Sequence, residues 1–367
     1  MSTAQQIENS ATGGKPKQKH FHYMDVLNVV ACIAVVILHC SSGVFLNAGG
    51  WHWRYCVIAQ SAFIFAVPVF FMISGANLLG YRKRYSTKEF FQKRMRRILG
   101  VFIGCSILIY VLQCLPIAAL GGGWRQPSLP DFIQSFLDNS INNIYWYFYA
   151  VIGLYLVTPV FSKIVVNKQL LGYAIAICFT MSVIFPMVSR LMNGYEPFAN
   201  FTYPYLSSWL LYFLAGYYIN TYLDHRIPFS ILITVALVCI AFMAVMTIHT
   251  NDVAREALGE AASYDSFYAN AMGLPGSILS VSLFICGKQL ENQIASSKHY
   301  PTISKLSALS LGIYAIHLQV LYVFNYFLGD YTWPSLIVRA LVVYLITASI
   351  VWLYRLAKTK VLTRLKR

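Results

Sequence analysis

Apolar stretches of about membrane-spanning length recur along almost the whole chain, separated by short runs where Lys, Arg, Asp, Asn and Gly gather. A bilayer core of about 30 Å takes roughly 20 residues of helix to cross. On that measure the pattern predicts helices at 24–45, 55–80, 98–120, 143–161, 170–189, 204–222, 228–248, 271–286, 306–328 and 335–357. The second stretch is long and the eighth short, so a break or a tilt is expected in each. Pro68 and Pro159 fall inside stretches that they can kink. The expected fold class is all-α, a polytopic membrane protein of about ten transmembrane helices.

The polar intervals set the expected orientation. One alternating set holds Lys15, Lys17 and Lys19, the run "YRKRYSTKEFFQKRMRR", then Lys163, Lys168, Arg226, Lys288, Lys298, Lys305 and the tail "RLAKTKVLTRLKR". The opposite set holds only Arg54, Arg125, Arg190, Arg255 and Arg339, out of 28 basic residues. Positive loops stay in the cytoplasm, so both termini are expected inside and the acidic segment "NDVAREALGEAASYD" outside. Residues 1–22 are polar and basic without the apolar core of a signal peptide. They read as a disordered cytoplasmic arm, followed by a transmembrane domain at 23–357 and a basic cytoplasmic tail at 358–367.

Composition adds exclusions. A chain with 58% hydrophobic and 11% charged residues is not an ordinary soluble domain. Its net charge of +15 sits where membrane topology places it, so no nucleic-acid partner is needed, and the excess also suits anionic lipid. The eight cysteines lie in or beside apolar stretches without CxxC spacing, so neither a disulfide framework nor a metal site is indicated. Cys56 and Cys114, both near the expected outer face, are the one pair to check. No internal repeat, phosphate-binding glycine loop or dinucleotide fingerprint is present.

Three features carry candidate chemistry. The first stretch contains Asp25, Asn28 and His39. Eleven residues separate Asn28 from His39, almost a whole number of turns and a rise of about 16 Å, so the two share a face and Asp25 marks its cytoplasmic end. An ionisable side chain at that depth marks a cavity or a partner rather than lipid. Second, Arg94 and Arg97 are three residues apart, so their guanidinium forks are neighbours that either clamp a phosphate or carboxylate or belong to a basic loop that sets topology. Third, Ser310, Tyr314 and His317 form a small polar seam in the ninth stretch, with a role either in helix packing or in orienting His39 or the acceptor. Trp146, Tyr147 and Tyr149 either stack on sugar or belong to an interfacial aromatic belt. Ser74, Gly75 and Asn77 read as a site of close helix packing.

Six fragments in order, "MDVLNVVACIAVVILH", "VPVFFMISGANLLG", "RMRRIL", "IYWYFYAVIGLYLVTPV", "YFLAGYYI" and "LSLGIYAIHLQVL", span nearly the whole chain. Through them the sequence resembles the acyltransferase 3 family of integral membrane acyltransferases, and within it the stand-alone surface-polysaccharide O-acetyltransferases of the enterobacterial common antigen type. The resemblance implies transfer of an acyl group, usually acetyl, from cytoplasmic acyl-CoA to a hydroxyl of a glycan or lipid-linked sugar, in a bacterial cytoplasmic membrane and without a metal. It implies a catalytic role for His39 and donor binding by Arg94 and Arg97. Asn28 is expected in the donor-binding group as well, but the family usually carries an arginine there, so either donor binding leans more on Arg94 and Arg97, or the chain takes a different donor or has reduced activity. A neutral imidazole can take the proton of an attacking hydroxyl, or can itself accept the acyl group, and the sequence leaves both open. The rival reading is a secondary transporter or flippase of a glycan intermediate, which also suits ten helices with polar residues at mid-depth.

Overall fold

The Ser-Thr-Lys-Glu sequence at 86–89 starts the longest departure from the expected helices. The computed structural model describes residues 20–192, 206–224, 227–329 and 336–365, which contain helices and no strand. Its α-helices are α1 (His22–Cys40), α2 (Gly50–Phe63), α3 (Ala66–Leu78), α4 (Thr87–Cys114), α5 (Leu129–Leu137), α6 (Trp146–Ile164) and α7 (Lys168–Phe179). They continue with α8 (Phe185–Leu191), α9 (Leu206–Tyr222), α10 (Phe229–Leu258), α11 (Leu274–Gln289), α12 (Glu291–Ala295), α13 (Tyr300–Leu328) and α14 (Leu336–Leu365). At the head of α4, Ser86 Oγ accepts from the Glu89 amide and Glu89 Oε2 accepts from the Ser86 amide, each at 3.3 Å. This reciprocal capping satisfies two amides that would otherwise be orphaned. The helix therefore begins at Thr87 rather than near 98, and Arg94 and Arg97 lie within a continuous helix rather than at its start.

The second expected span is broken. Its two helices are separated by Ile64 and Phe65, where Pro68 cannot donate to the Ile64 carbonyl four residues back. Pro159 is carried inside α6, and a π-helical turn at Thr180–Ile184 joins α7 to α8.

Among the described residues eight helical runs are long and apolar enough to cross a membrane: His22–Leu46, Gly50–Lys83, Thr87–Cys114, Asn143–Ile164, Lys168–Leu191, Phe229–Leu258, Tyr300–Leu328 and Leu336–Val361. The other two expected spans coincide with α9 and α11, which have 17 and 16 residues. At 1.5 Å per residue they reach about 24 to 26 Å, short of a full hydrocarbon core. Residues 1–19 of the expected N-terminal arm lie outside the described residues. Helix α14 continues through most of the basic tail, to Leu365.

Side-chain contacts give the relative directions of the helices. Asn77 reaches Met24 Sδ while Gln60 reaches the Leu38 carbonyl, so the second span runs antiparallel to α1. Phe90 meets Tyr155 and Phe102 meets Phe148, which sets α4 antiparallel to α6. Helix α1 runs parallel to α13: Asn28 bonds Ser307, Cys32 Sγ approaches the Ser310 carbonyl, and His39 meets His317. Helix α14 returns antiparallel to α13, with Arg355 bonding the Ala308 carbonyl and Val351 against Gly312.

The closest approach of two helices is between α3 and α9. A Cβ added at Gly75 would lie 1.7 Å from the Phe213 carbonyl oxygen, and one at Gly216 would lie 2.0 Å from that of Met72. This bears out the packing role expected of Gly75. The start of α1 is held from α12: Glu291 accepts from the His22 amide, His22 Nδ1 and the Tyr23 amide at 2.9 to 3.1 Å. Burial alone would raise the Glu291 carboxyl, but the bonds from His22 and Tyr23 outweigh it and hold the group below its ordinary value. A depressed carboxylate stabilises the fold at neutral pH, and that contribution is lost as pH falls through its folded value.

Candidate active site

The polar residues of α1 open onto a cavity of about 410 Å³. Asp25 and Asn28 line one wall, Arg94 and Arg97 of α4 another, and Ser304, Ser307 and Ser310 of α13 a third. Each wall follows from helix periodicity: the α13 serines recur every three residues and so face one way. Arg94 is half-buried and Arg97 exposed. Among the described residues neither guanidinium makes a hydrogen bond or ion pair, so their donors face the cavity uncommitted.

Asp25 is heavily used. Its Oδ1 accepts from Ser307 Oγ at 2.6 Å, and its Oδ2 accepts from Tyr300 at 2.7 Å and bonds His20 at 3.0 Å. Asn28 Nδ2 donates to the Ser307 carbonyl at 3.0 Å and to Ser307 Oγ at 2.9 Å. Both amide hydrogens are thereby spent, leaving the Asn28 carbonyl as the group it can offer a ligand. The neighbouring basic residues behave differently: Arg82 bonds Ser162 and the Pro159 carbonyl of α6, and Arg84 bonds the Asn77 carbonyl near the end of α3, so both are committed to the protein itself.

His39 and His317 do not line the cavity, unlike His20. His39 and His317 face each other with ring centroids 5.1 Å apart and planes at 44°. His317 is fully buried. Its Nδ1 lies 2.8 Å from the Tyr314 carbonyl and 3.2 Å from that of Ile313. A carbonyl can only accept, so Nδ1 carries the hydrogen and Nε2 keeps its lone pair. That Nε2 has no hydrogen-bond partner among the described residues. The pair therefore joins an acceptor nitrogen to a second imidazole, beyond the inner end of a cavity with free cationic donors.

The structure thus sorts the expected site residues into two groups. Asp25, Asn28, Arg94, Arg97 and Tyr314 share the cavity, while His39 and His317 form the deeper pair. Trp146 belongs to neither: it is exposed and stacks on Trp209 with centroids 4.9 Å apart. Its neighbour Tyr147 lines the cavity instead, and Tyr149 donates to the Phe136 carbonyl. Ser74 and Asn77 also line the cavity, unlike Gly75 between them. Ser304, Ser307 and Tyr155 were not expected there. For the two serines a signal existed, since they continue the seam of Ser310, Tyr314 and His317 toward the start of α13 at nearly the same spacing. Among the described residues no three His, Cys, Asp or Glu are grouped to hold a metal ion, and all eight cysteines are free.

The model of one protein family, described as an acyltransferase domain, matches residues 21–355, which takes in both residue groups. No curated protein and no solved structure matches the chain.

Proposed function

Since this chain belongs to the acyltransferase 3 family and is a multi-pass membrane acyltransferase, we propose that it moves an acetyl group from cytoplasmic acetyl-CoA to a hydroxyl of a cell-surface glycan or lipid-linked sugar. The observation that carries this reading is the cavity in which Arg94 and Arg97 stand unpaired, with its lining residue Tyr314 next to the His39–His317 pair. The donor's phosphates bind the two guanidinium groups. Its thioester arm runs past Asp25, Asn28 and Ser307 toward the histidines. His39 takes the proton of the acceptor hydroxyl as that oxygen attacks the thioester carbonyl; the carbon–sulfur bond breaks and CoA leaves as the thiol after receiving a proton. His317 acts as a positioning residue. Its Nε2 can only accept, so a His39 N–H turned toward it leaves the other His39 nitrogen as the base. The protein sits in a bacterial cytoplasmic membrane with ten crossings, α9 and α11 included, and both termini inside.

Release of CoA thiol from acetyl-CoA by the purified protein, with and without candidate glycan acceptors, tests the reading; a transporter of glycan intermediates releases none. Replacing both Arg94 and Arg97 with Gln should weaken acetyl-CoA binding at least about a hundredfold and flatten its salt dependence, because a charged hydrogen bond contributes about 1.5 to 3 kcal/mol. Equal affinity in the double variant would reduce the pair to a topology signal. The orientation has its own check. Cysteines introduced at 250–265 should react with an impermeant thiol reagent applied outside, and those at 82–88 should not; the reverse result would turn the protein over in the membrane.

A further inference from the structure

The cavity stops short of the histidines, and two tyrosines stand where it stops. Tyr147 and Tyr314 both line it, are 8% and 5% exposed, and face each other with ring centroids 4.8 Å apart. On the far side Tyr314 is 5.9 Å from His317, centroid to centroid. Tyr314 is fixed by a clasp between α13 and the start of α6: its hydroxyl donates to the Ile144 carbonyl at 2.6 Å, and Tyr145 donates back to the Ala315 carbonyl at 3.0 Å. Tyr147 is backed by Phe71, at 5.2 Å between centroids. Between the cavity and His317 therefore stands Tyr314, pinned to the backbone of its neighbour and packed against the ring of Tyr147.

We propose that Tyr147 and Tyr314 form a constriction that the acyl thioester must pass to reach His39, and that this constriction restricts the donor to the shortest acyl groups. The inference rests on the reading that acyl-CoA enters through this cavity. Its physical basis is the stiffness of the wall. Packed interiors resist even one added methylene, and a ring held by the Tyr314–Ile144 bond cannot swing aside without breaking that bond. Acetyl presents a single methyl beyond the thioester carbonyl; butyryl and hexanoyl present chains that must fit between the rings. Tyr147 is the adjustable half of the wall, because its hydroxyl makes no hydrogen bond among the described residues and its removal leaves the α6–α13 clasp in place.

The test compares CoA release from acetyl-, butyryl- and hexanoyl-CoA by the purified full-length chain, with water as the acyl acceptor. Wild type should prefer acetyl-CoA. In Tyr147→Ala the ratio of kcat/KM for hexanoyl-CoA over acetyl-CoA should rise at least about tenfold, the scale on which a pocket senses added methylenes. Tyr147→Leu should give a smaller rise, and Tyr147→Phe should keep the wild-type ratio since it keeps the ring. Binding of CoA itself, measured on each variant, reports that the protein is folded and the donor cavity intact. An unchanged acyl preference in variants that still bind CoA overturns the constriction alone. Wild type that neither binds CoA nor releases it overturns the donor reading and the constriction with it.

Discussion

His39→Ala should abolish acyl transfer while leaving affinity for the proposed donor, acetyl-CoA, near that of wild type, and His39→Gln should do no better. The separation of effects follows from the two-part site. The cavity that holds Asp25, Asn28, Arg94 and Arg97 does not include His39, which lies eleven residues further along α1, a rise of about 16 Å. Loss of the imidazole should therefore leave donor binding, which is proposed to rest on the cavity residues, unchanged. A positioned general base contributes about 10²- to 10⁴-fold, and glutamine keeps the size and hydrogen-bonding capacity of histidine without the ability to take a proton. Steady-state CoA release and equilibrium binding, measured on the same preparations, check the expectation. Near-normal turnover in His39→Gln would make the histidine a packing residue. His317→Ala should slow the reaction without abolishing it; the reverse ranking would move the chemistry to α13.

Gly75→Ala and Gly216→Ala are expected to be the most damaging small substitutions for the fold. At each glycine a single methyl group would collide with a backbone carbonyl, at 1.7 Å from Phe213 and 2.0 Å from Met72. Overpacking against side chains costs about 1 to 3 kcal/mol because side chains can shift. Here the obstacle is main chain, so α3 and α9 must separate, and the loss should reach the top of that range or exceed it. Helix α3 also carries Ser74 and Asn77 of the cavity wall, so donor binding should fall together with thermal stability in detergent. Gly100 and Gly104 in α4 provide the contrast: a Cβ there meets nothing within 4 Å. Alanine at those two positions should be neutral or should stabilise by about 0.5 to 1 kcal/mol through helix propensity. Equal effects at all four glycines would show that the α3–α9 contact is looser than the structure draws it.

Much of the frame was legible because lipid imposes one requirement, length of apolar helix, on every span. Reading the site took more. Arg94 and Arg97 are recognisable from spacing alone, and the shared face of Asn28 and His39 from helix geometry. Periodicity along one helix cannot say where a cavity ends, so the division between cavity-lining residues and the histidine pair depended on how the other helices pack, Tyr314 of α13 among them. The choice between Trp146 and Tyr147 turns on the rotation of α6 about its axis, which is set by packing against Phe71 and Trp209 rather than by local sequence. The early start of α4 is a different matter, since Ser86 and Glu89 were in plain view and the apolar pattern outweighed them.

The in-step pairing of α1 with α13 bears on how the protein is made. Asn28 waits for Ser307, and His39 for His317, across some 280 residues of chain. At about 5 to 20 residues per second of synthesis, that interval lasts roughly a quarter of a minute to a minute. Throughout it, the first helix to leave the ribosome holds a carboxylate, an amide and an imidazole in or beside lipid without their final partners, although polar groups there are costly until paired. The contacts between α1 and α13 thus close only when the translation product is nearly finished, and a chain that stops before α13 leaves the polar face of α1 without them.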